Sequence, residues 1–263
     1  MKLCKEKDLF LNILILGIFF LFGLSIPNNN AIIGTTNIQK PVVLIDVAHN
    51  LHTSDFVAFR NYLLTWGFDV IWNTKSWTSN TFTNVDIMII PSLYINLTVA
   101  EINYAKTWFD SGNKSLWIGA ESDFGSNYNW ALRANTLLNA VGSSIYIESS
   151  SLESEYNIGG AAYRVSGTIY NKQDSNAKFL TSQLPYQDSN ANALFFGPCS
   201  VIGKNSNGTY ANLETNYFPN VEWVVKTKNA TVVLNTDVNQ AEGAQVHSNN
   251  QYGEFVLMAL QHS

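Results

Sequence analysis

The sequence predicts an α/β domain built on a doubly wound, mainly parallel sheet, with a C-terminal β-rich extension. Three observations lead there. Short continuous apolar runs recur from residue 42 onwards, as parallel strands buried on both faces require. Segments with apolar residues at helical spacing alternate with those runs through residue 147, which is the βα pattern of such sheets. The connections are short, and that suits crossovers that lay helices on both faces.

Each element has its own signal. Val42 to Val47 is an apolar run carrying Asp46 near its end, expected as the first buried strand. Ser54 to Trp66 places Phe56, Phe59, Leu63 and Leu64 at helical spacing, with Thr53 or Ser54 to cap the start and Gly67 to end it. Phe68 to Trp72 and Val85 to Ile90 are the next strands, the latter closed by Pro91. Thr98 and Glu101 form a capping box that opens a helix with Ile102, Ala105, Trp108 and Phe109 on one face. Ser115 to Gly119 is a fourth strand, Asn129 to Val141 a third helix, and Ser144 to Ile147 a short fifth strand. Residues 148 to 193 are rich in Ser, Asn, Gly and Gln, with Tyr163 to Tyr170 as a strand. They read as an elaborated excursion of one domain spanning 41–263, since they lack the apolar mass for their own core. Leu194 to Phe196 with an extension to Ile202, Val221 to Lys226 and Thr231 to Leu234 are further strands, and Tyr252 to Gln261 reads as a closing helix.

Composition narrows the function. The 263 residues are 46% apolar and only 13% charged, against roughly 25% charged in ordinary soluble domains. Asparagine fills much of that gap, with 32 copies. The chain is too apolar for a disordered protein. A net charge of -5 and the lack of any basic run exclude a nucleic-acid partner. No Cys/His spacing calls for zinc, and no cofactor is expected.

The N-terminus bears on compartment. Leu9 to Ile26 is an uncharged apolar stretch preceded by Lys2, Lys5 and Lys7. The lysine-rich side stays cytoplasmic, so the rest of the chain is expected outside, extracellular or at the cell surface. Its length suits either a cleaved signal peptide within residues 1–31 or a retained membrane anchor. A polar linker, 32–40, follows. Loss of residues 1–31 would remove Cys4 and leave Cys199 alone, so no internal disulfide is expected. Cys199, after Gly197 and Pro198, reads as a small buried hydrophobe. The sequons at Asn96, Asn113, Asn207 and Asn229 are candidate glycan sites in an exported chain.

The stretches VVLIDVAHN, FDVIWNT and VDIMIIPSLYINLTVAEINYAKTWFDSGNKSLWIGAESDFGS, with the later VVLNTDVN, resemble the class I glutamine amidotransferase-like superfamily. Within it they resemble the non-catalytic accessory branch found in gliding-motility-type ABC transport proteins, in intraflagellar transport proteins and in exported archaeal and bacterial proteins. The resemblance implies a flavodoxin-like, amidotransferase-like three-layer sandwich. True members carry a nucleophilic Cys on a strained turn after the fourth type of strand. Here that turn reads Ile118-Gly119-Ala120-Glu121-Ser122-Asp123, without a Cys, and no His-x-Glu partner motif follows. Without a thiolate there the family reaction has no nucleophile.

In a parallel sheet, ligands bind where strands end. Asp46, His49, Asn50, Ser92, Glu121 and Asp123 fall at such ends and are the expected ligand-binding residues, for a small molecule or a protein partner. Asp237 follows a later strand. Three other readings compete. Asp46, His49 and His52 could hold a metal, with Asp123 or Glu121 in support. Ser122 could act as a hydrolase nucleophile with His247 and Asp237 or Glu254, although Phe124 stands where a nucleophile elbow wants glycine. Asp46 and His49 could instead bond the loop backbone and cap the helix that follows, and His247 could lie in a surface loop. The tryptophans Trp66, Trp72, Trp77, Trp108, Trp117 and Trp130 invite a carbohydrate-platform reading; most fit core positions instead, and Trp77 is the best candidate for an exposed one.

Overall fold

A computed structural model describes residues 40–50, 53–122, 129–155, 157, 160–169, 192–234 and 244–262. The apolar stretch 9–26, His52, Asp123, Phe124, Asp237 and much of the 148–193 excursion lie outside the described residues. Four strands form one parallel sheet: β1 (Val42–Asp46), β2 (Asp69–Asn73), β3 (Ile87–Ile90) and β4 (Ser115–Ile118), in the order β2-β1-β3-β4. Three helices accompany it: α1 (Val57–Thr65), α2 (Val99–Asp110) and α3 (Trp130–Ala140).

Strand side chains alternate between faces, and here both faces are apolar. Val43, Ile45, Ile87 and Ile89 pack with Phe59 and Leu63 of α1. Leu44, Met88 and Ile90 pack with Ala105 and Trp108 of α2 and Leu137 of α3. Each such side chain contributes about 1.5–3 kcal/mol when fully buried. α1 starts from a 3-10 turn, Thr53–Phe56, so its N-cap residue is Phe56, whose side chain makes no cap bond. α2 has its capping box as expected: Thr98 accepts from the Glu101 N–H, and Glu101 accepts from the Thr98 N–H. Gly119 ends β4 because nothing larger fits; a Cβ there would sit 2.3 Å from the Pro91 carbonyl oxygen.

The remaining ten described strands pair antiparallel, so the parallel part is smaller than expected. β5 (Ile145–Ile147), β9 (Val201–Lys204) and β10 (Tyr210–Asn212) form one sheet, β10-β9-β5. β7 (Arg164–Ile169), β8 (Asn192–Phe196), β11 (Val221–Thr227) and β14 (Val256–Gln261) form another, β14-β11-β7-β8. β6 (Ser151–Glu153), β12 (Ala230–Val233) and β13 (Tyr252–Gly253) form the last, β13-β12-β6.

Two expectations are corrected. The run from Ser144 to Ile147 does not extend the parallel sheet. β5 pairs antiparallel with β9 and is tied to α3 by Asn135, whose side chain donates to the Ile147 carbonyl (2.7 Å) and accepts from the Ile147 N–H (2.8 Å). The segment Tyr252 to Gln261 is not a helix but strands β13 and β14, the second pairing with β11 through two register shifts. A short apolar run fits both periods, and only the neighbouring strand decides between them.

Leu152 and Val165, both from the excursion, are fully buried with Val225, Val232 and Phe255 in the β-rich half. Ala131, Ala134 and Leu138 of α3 pack with Ile147, Val201, Phe218 and Val256, joining the two halves. Among the described residues no helix is long and apolar enough to cross a membrane.

Candidate functional site

The end of β1 holds a closed polar network. Asp46 is fully buried and His49 nearly so. His49 Nδ1 bonds Asp46 Oδ2 at 2.9 Å and His49 Nε2 bonds Glu101 Oε1 at 3.1 Å. The second Asp46 oxygen accepts from Trp77 Nε1 (2.9 Å) and Asn73 Nδ2 (3.0 Å). Glu101 also accepts from the Trp77 N–H, the Thr98 N–H and the Thr98 hydroxyl. A neutral imidazole has one N–H donor, so two flanking carboxylates call for the protonated ring. Burial pulls the His49 pKa down, but the hydrogen bond and charge of Asp46 and then those of Glu101 outweigh it, leaving it above its ordinary value. Burial raises the Glu101 pKa, but the Thr98 and Trp77 donors and the His49 charge leave it lowered.

This geometry bears on three expectations. Asp46 and His49 do come together, bonded directly to each other, with Trp77 on the far side of Asp46 and Glu101 on the far side of His49. Both His49 nitrogens face carboxylates, so a metal would have to displace one, and among the described residues no cluster of three or more His, Cys, Asp or Glu side chains could hold a metal. Trp77, the best candidate for an exposed tryptophan, is 3% exposed because its indole N–H and backbone N–H both serve this network; Trp66 at the end of α1 is 41% exposed instead.

The rim beyond the network is backbone-built. The His49 carbonyl accepts from the Tyr94 N–H (2.8 Å) and the Ile95 N–H (3.2 Å). Arg133 of α3 reaches the Tyr94 carbonyl and, at 2.7 Å, the Asn96 side-chain oxygen. The loops after β1 and β3 are thereby held side by side. Asn50, Ser92 and Ser122 are buried there and Glu121 is half-buried. The Ser122 N–H donates to the Gly197 carbonyl at 2.7 Å, and the Gly197 N–H donates to the Tyr163 carbonyl at 2.8 Å. Gly197 takes φ of 53°, a left-handed conformation that favours glycine. Cys199 is buried, as expected, but it lies beside the bend: its thiol donates towards the Ala120 and Glu121 carbonyls at 3.9 and 3.7 Å.

His247 belongs elsewhere. It is 3% exposed, not part of a surface loop. Its Nδ1 bonds Glu148 Oε2 at 2.8 Å, and its Nε2 is 3.5 Å from Glu214 Oε2. Glu148 also accepts from the Val246 and His247 N–H groups, each at 2.7 Å. Burial lowers the ring's pKa, but Glu148 and Glu214 outweigh it and raise it to about 9. A ring protonated at neutral pH is no general base, and no hydrogen bond joins it to Ser122 among the described residues. Glu254, the other expected relay partner, is exposed.

Sequence reasoning read Glu101 only as a cap and passed over Glu148 and Glu214. The capping box marked the first by position. The other two carry no local signal, because their partner is 99 and 33 residues away. Of the sequons, Asn96, Asn113 and Asn207 are exposed and Asn229 is half-buried.

No family model matches the chain, and no curated protein matches it either. Among solved structures the chain is similar to one titled mmIFT52 N-terminal domain, at 13% identity, over 77% of this chain and 82% of that one, with a TM-score of 0.49.

Proposed function

We propose that this chain is an exported, non-catalytic binding domain of the amidotransferase-like type, which holds a ligand or protein partner at the cell surface as an accessory part of a membrane assembly. On this reading the parallel half is the core of a doubly wound domain, and residues 9–26 serve as its signal peptide or anchor. The observation that carries the non-catalytic part is the state of the two histidines buried among the described residues. Both nitrogens of His49 and of His247 face carboxylates, so neither ring has a free basic nitrogen to activate Ser122 or Cys199. The bend after β4 still gathers Ser122, Gly197 and Cys199 at the edge where parallel sheets bind ligands.

The alternative is a hydrolase using Ser122, or a metal near Asp46 and His49. One assay separates them. The full chain is incubated with activated esters and with glutamine, with and without chelator, alongside Ser122→Ala and Cys199→Ala. Turnover at background in all samples is expected. Turnover that falls by ~10³ or more in either variant, as loss of a nucleophile requires, overturns the binding reading. Protease treatment of intact cells tests the placement: the domain is expected to be digested from outside.

A further inference from the structure

Arg164 occupies an unusual place. It opens β7, directly across from Phe196 at the end of β8. Its guanidinium carbon stands 5.8 Å from the Tyr163 ring centroid and 5.6 Å from that of Phe196. Both rings are 49% exposed. The Arg164 Nε is buried without a hydrogen-bond partner, and among the described residues no carboxylate lies within ion-pair distance of the side chain. In a chain with 20 acidic and 15 basic residues, an arginine with no acidic partner among the described residues, stacked on two half-exposed rings, is set up for an external anion. The cluster also adjoins the bend: the Tyr163 carbonyl accepts from Gly197, whose own carbonyl accepts from Ser122.

We propose that Tyr163, Arg164 and Phe196 form a binding site for a carboxylate-bearing saccharide, of the uronic acid type. A guanidinium presents a planar fork that matches a carboxylate in two parallel hydrogen bonds. Stacking on the rings fixes the plane of that fork and lessens the ordering cost of using it. The exposed parts of Tyr163 and Phe196 offer flat apolar surface, which complements the C–H face of a sugar ring bearing the carboxylate. An acidic peptide side chain supplies the same charge on a flexible aliphatic stem and no ring to cover that surface. The inference rests on the reading of the chain as a binding domain and names what the domain binds.

Calorimetric titration of the full chain with oligogalacturonate, its methyl-esterified form and oligoglutamate tests it. The acid saccharide is expected to bind at least tenfold more tightly than the ester and than oligoglutamate, as one charge-assisted bidentate pair requires. Arg164→Gln should lose about tenfold or more, and Tyr163→Ala and Phe196→Ala severalfold each. Arg164→Lys keeps the charge without the fork and should also weaken binding; it serves if Arg164→Gln does not fold. Equal binding of acid and ester, undiminished binding by both Arg164 variants, preference for oligoglutamate, or no binding at all would each overturn the site. Shortening of the saccharide chain that depends on Ser122 would instead refute the non-catalytic reading and leave the site standing.

Discussion

Two regions of this molecule solve the same electrostatic problem with different materials. Each buries one histidine between two carboxylates: Asp46–His49–Glu101 at the end of β1, and Glu148–His247–Glu214 in the β-rich half. In the first, every carboxylate oxygen accepts at least one hydrogen bond, and the donors come from a strand end, a loop and a capping box. In the second, Glu148 is saturated by the backbone of residues 246 and 247 and by the imidazole, whereas Glu214 Oε2 is buried with no hydrogen bond and only the imidazole charge at 3.5 Å. The difference teaches that triads with the same charges can differ in how fully neutral donors complete them. A fully connected network fixes one geometry, and a partly satisfied one keeps a high-energy group in place.

The largest effects should come from removing the carboxylate that anchors each histidine. Asp46→Ala strands the Trp77 indole N–H and a buried imidazolium, and Glu148→Ala strands two backbone N–H groups as well. Each should lower unfolding free energy by about 3–5 kcal/mol, read by urea denaturation. A loss below about 1 kcal/mol in either would mean that the triad concerned contributes packing only.

The pH dependence separates the triads next. The His247 pKa is raised in the folded protein to about 9 from an ordinary 6.5, so the folded state binds the proton more tightly. Its stabilisation is fully present below pH 6.5 and is lost as pH rises towards 9, about 3 kcal/mol in all. His49 contributes in the same sense. Glu101, whose pKa is lowered, works oppositely: its contribution is present above its ordinary value and is lost as pH falls. Denaturation curves from pH 5 to 9.5 should therefore show stability falling on the alkaline side, and His247→Asn should flatten much of that fall. An unchanged slope in the variant would place the titration elsewhere.

The smallest effect is the cap. Thr98→Ala removes the acceptor for the Glu101 N–H and one donor to its carboxylate. About 1 kcal/mol is expected from loss of an N-cap, with the His49 ring still held by Asp46. A much larger loss would show that the cap positions Glu101 for the first triad.

How much of this was legible differs between the halves. β1, β3 and β4 and the start of α2 follow from contiguous apolar runs and from one capping box, both local signals. The ends of those runs also put Asp46, His49 and Ser122 near one rim. The role of Glu101 was only half legible, since a capping glutamate has a second oxygen free to meet something distant. β14 was misread because its apolar residues satisfy helix and strand periods alike. The polar loop around Trp77 hides the reason for its burial, since its own two N–H groups answer buried carboxylates. Glu148, Glu214 and Arg164 sit in stretches with no motif at all.

By itself, the sequence determined the parallel sheet, the acidic charge balance, and the turn after β4 that lacks a cysteine. These depend on residues close together in the chain, where period, cap and turn chemistry act directly. Only the tertiary structure decided which carboxylates flank each histidine, that Cys199 stands beside that turn, and that Arg164 meets two aromatic rings. Those pairings join residues brought together by burial, and burial depends on the packing of whole elements, which no local window contains.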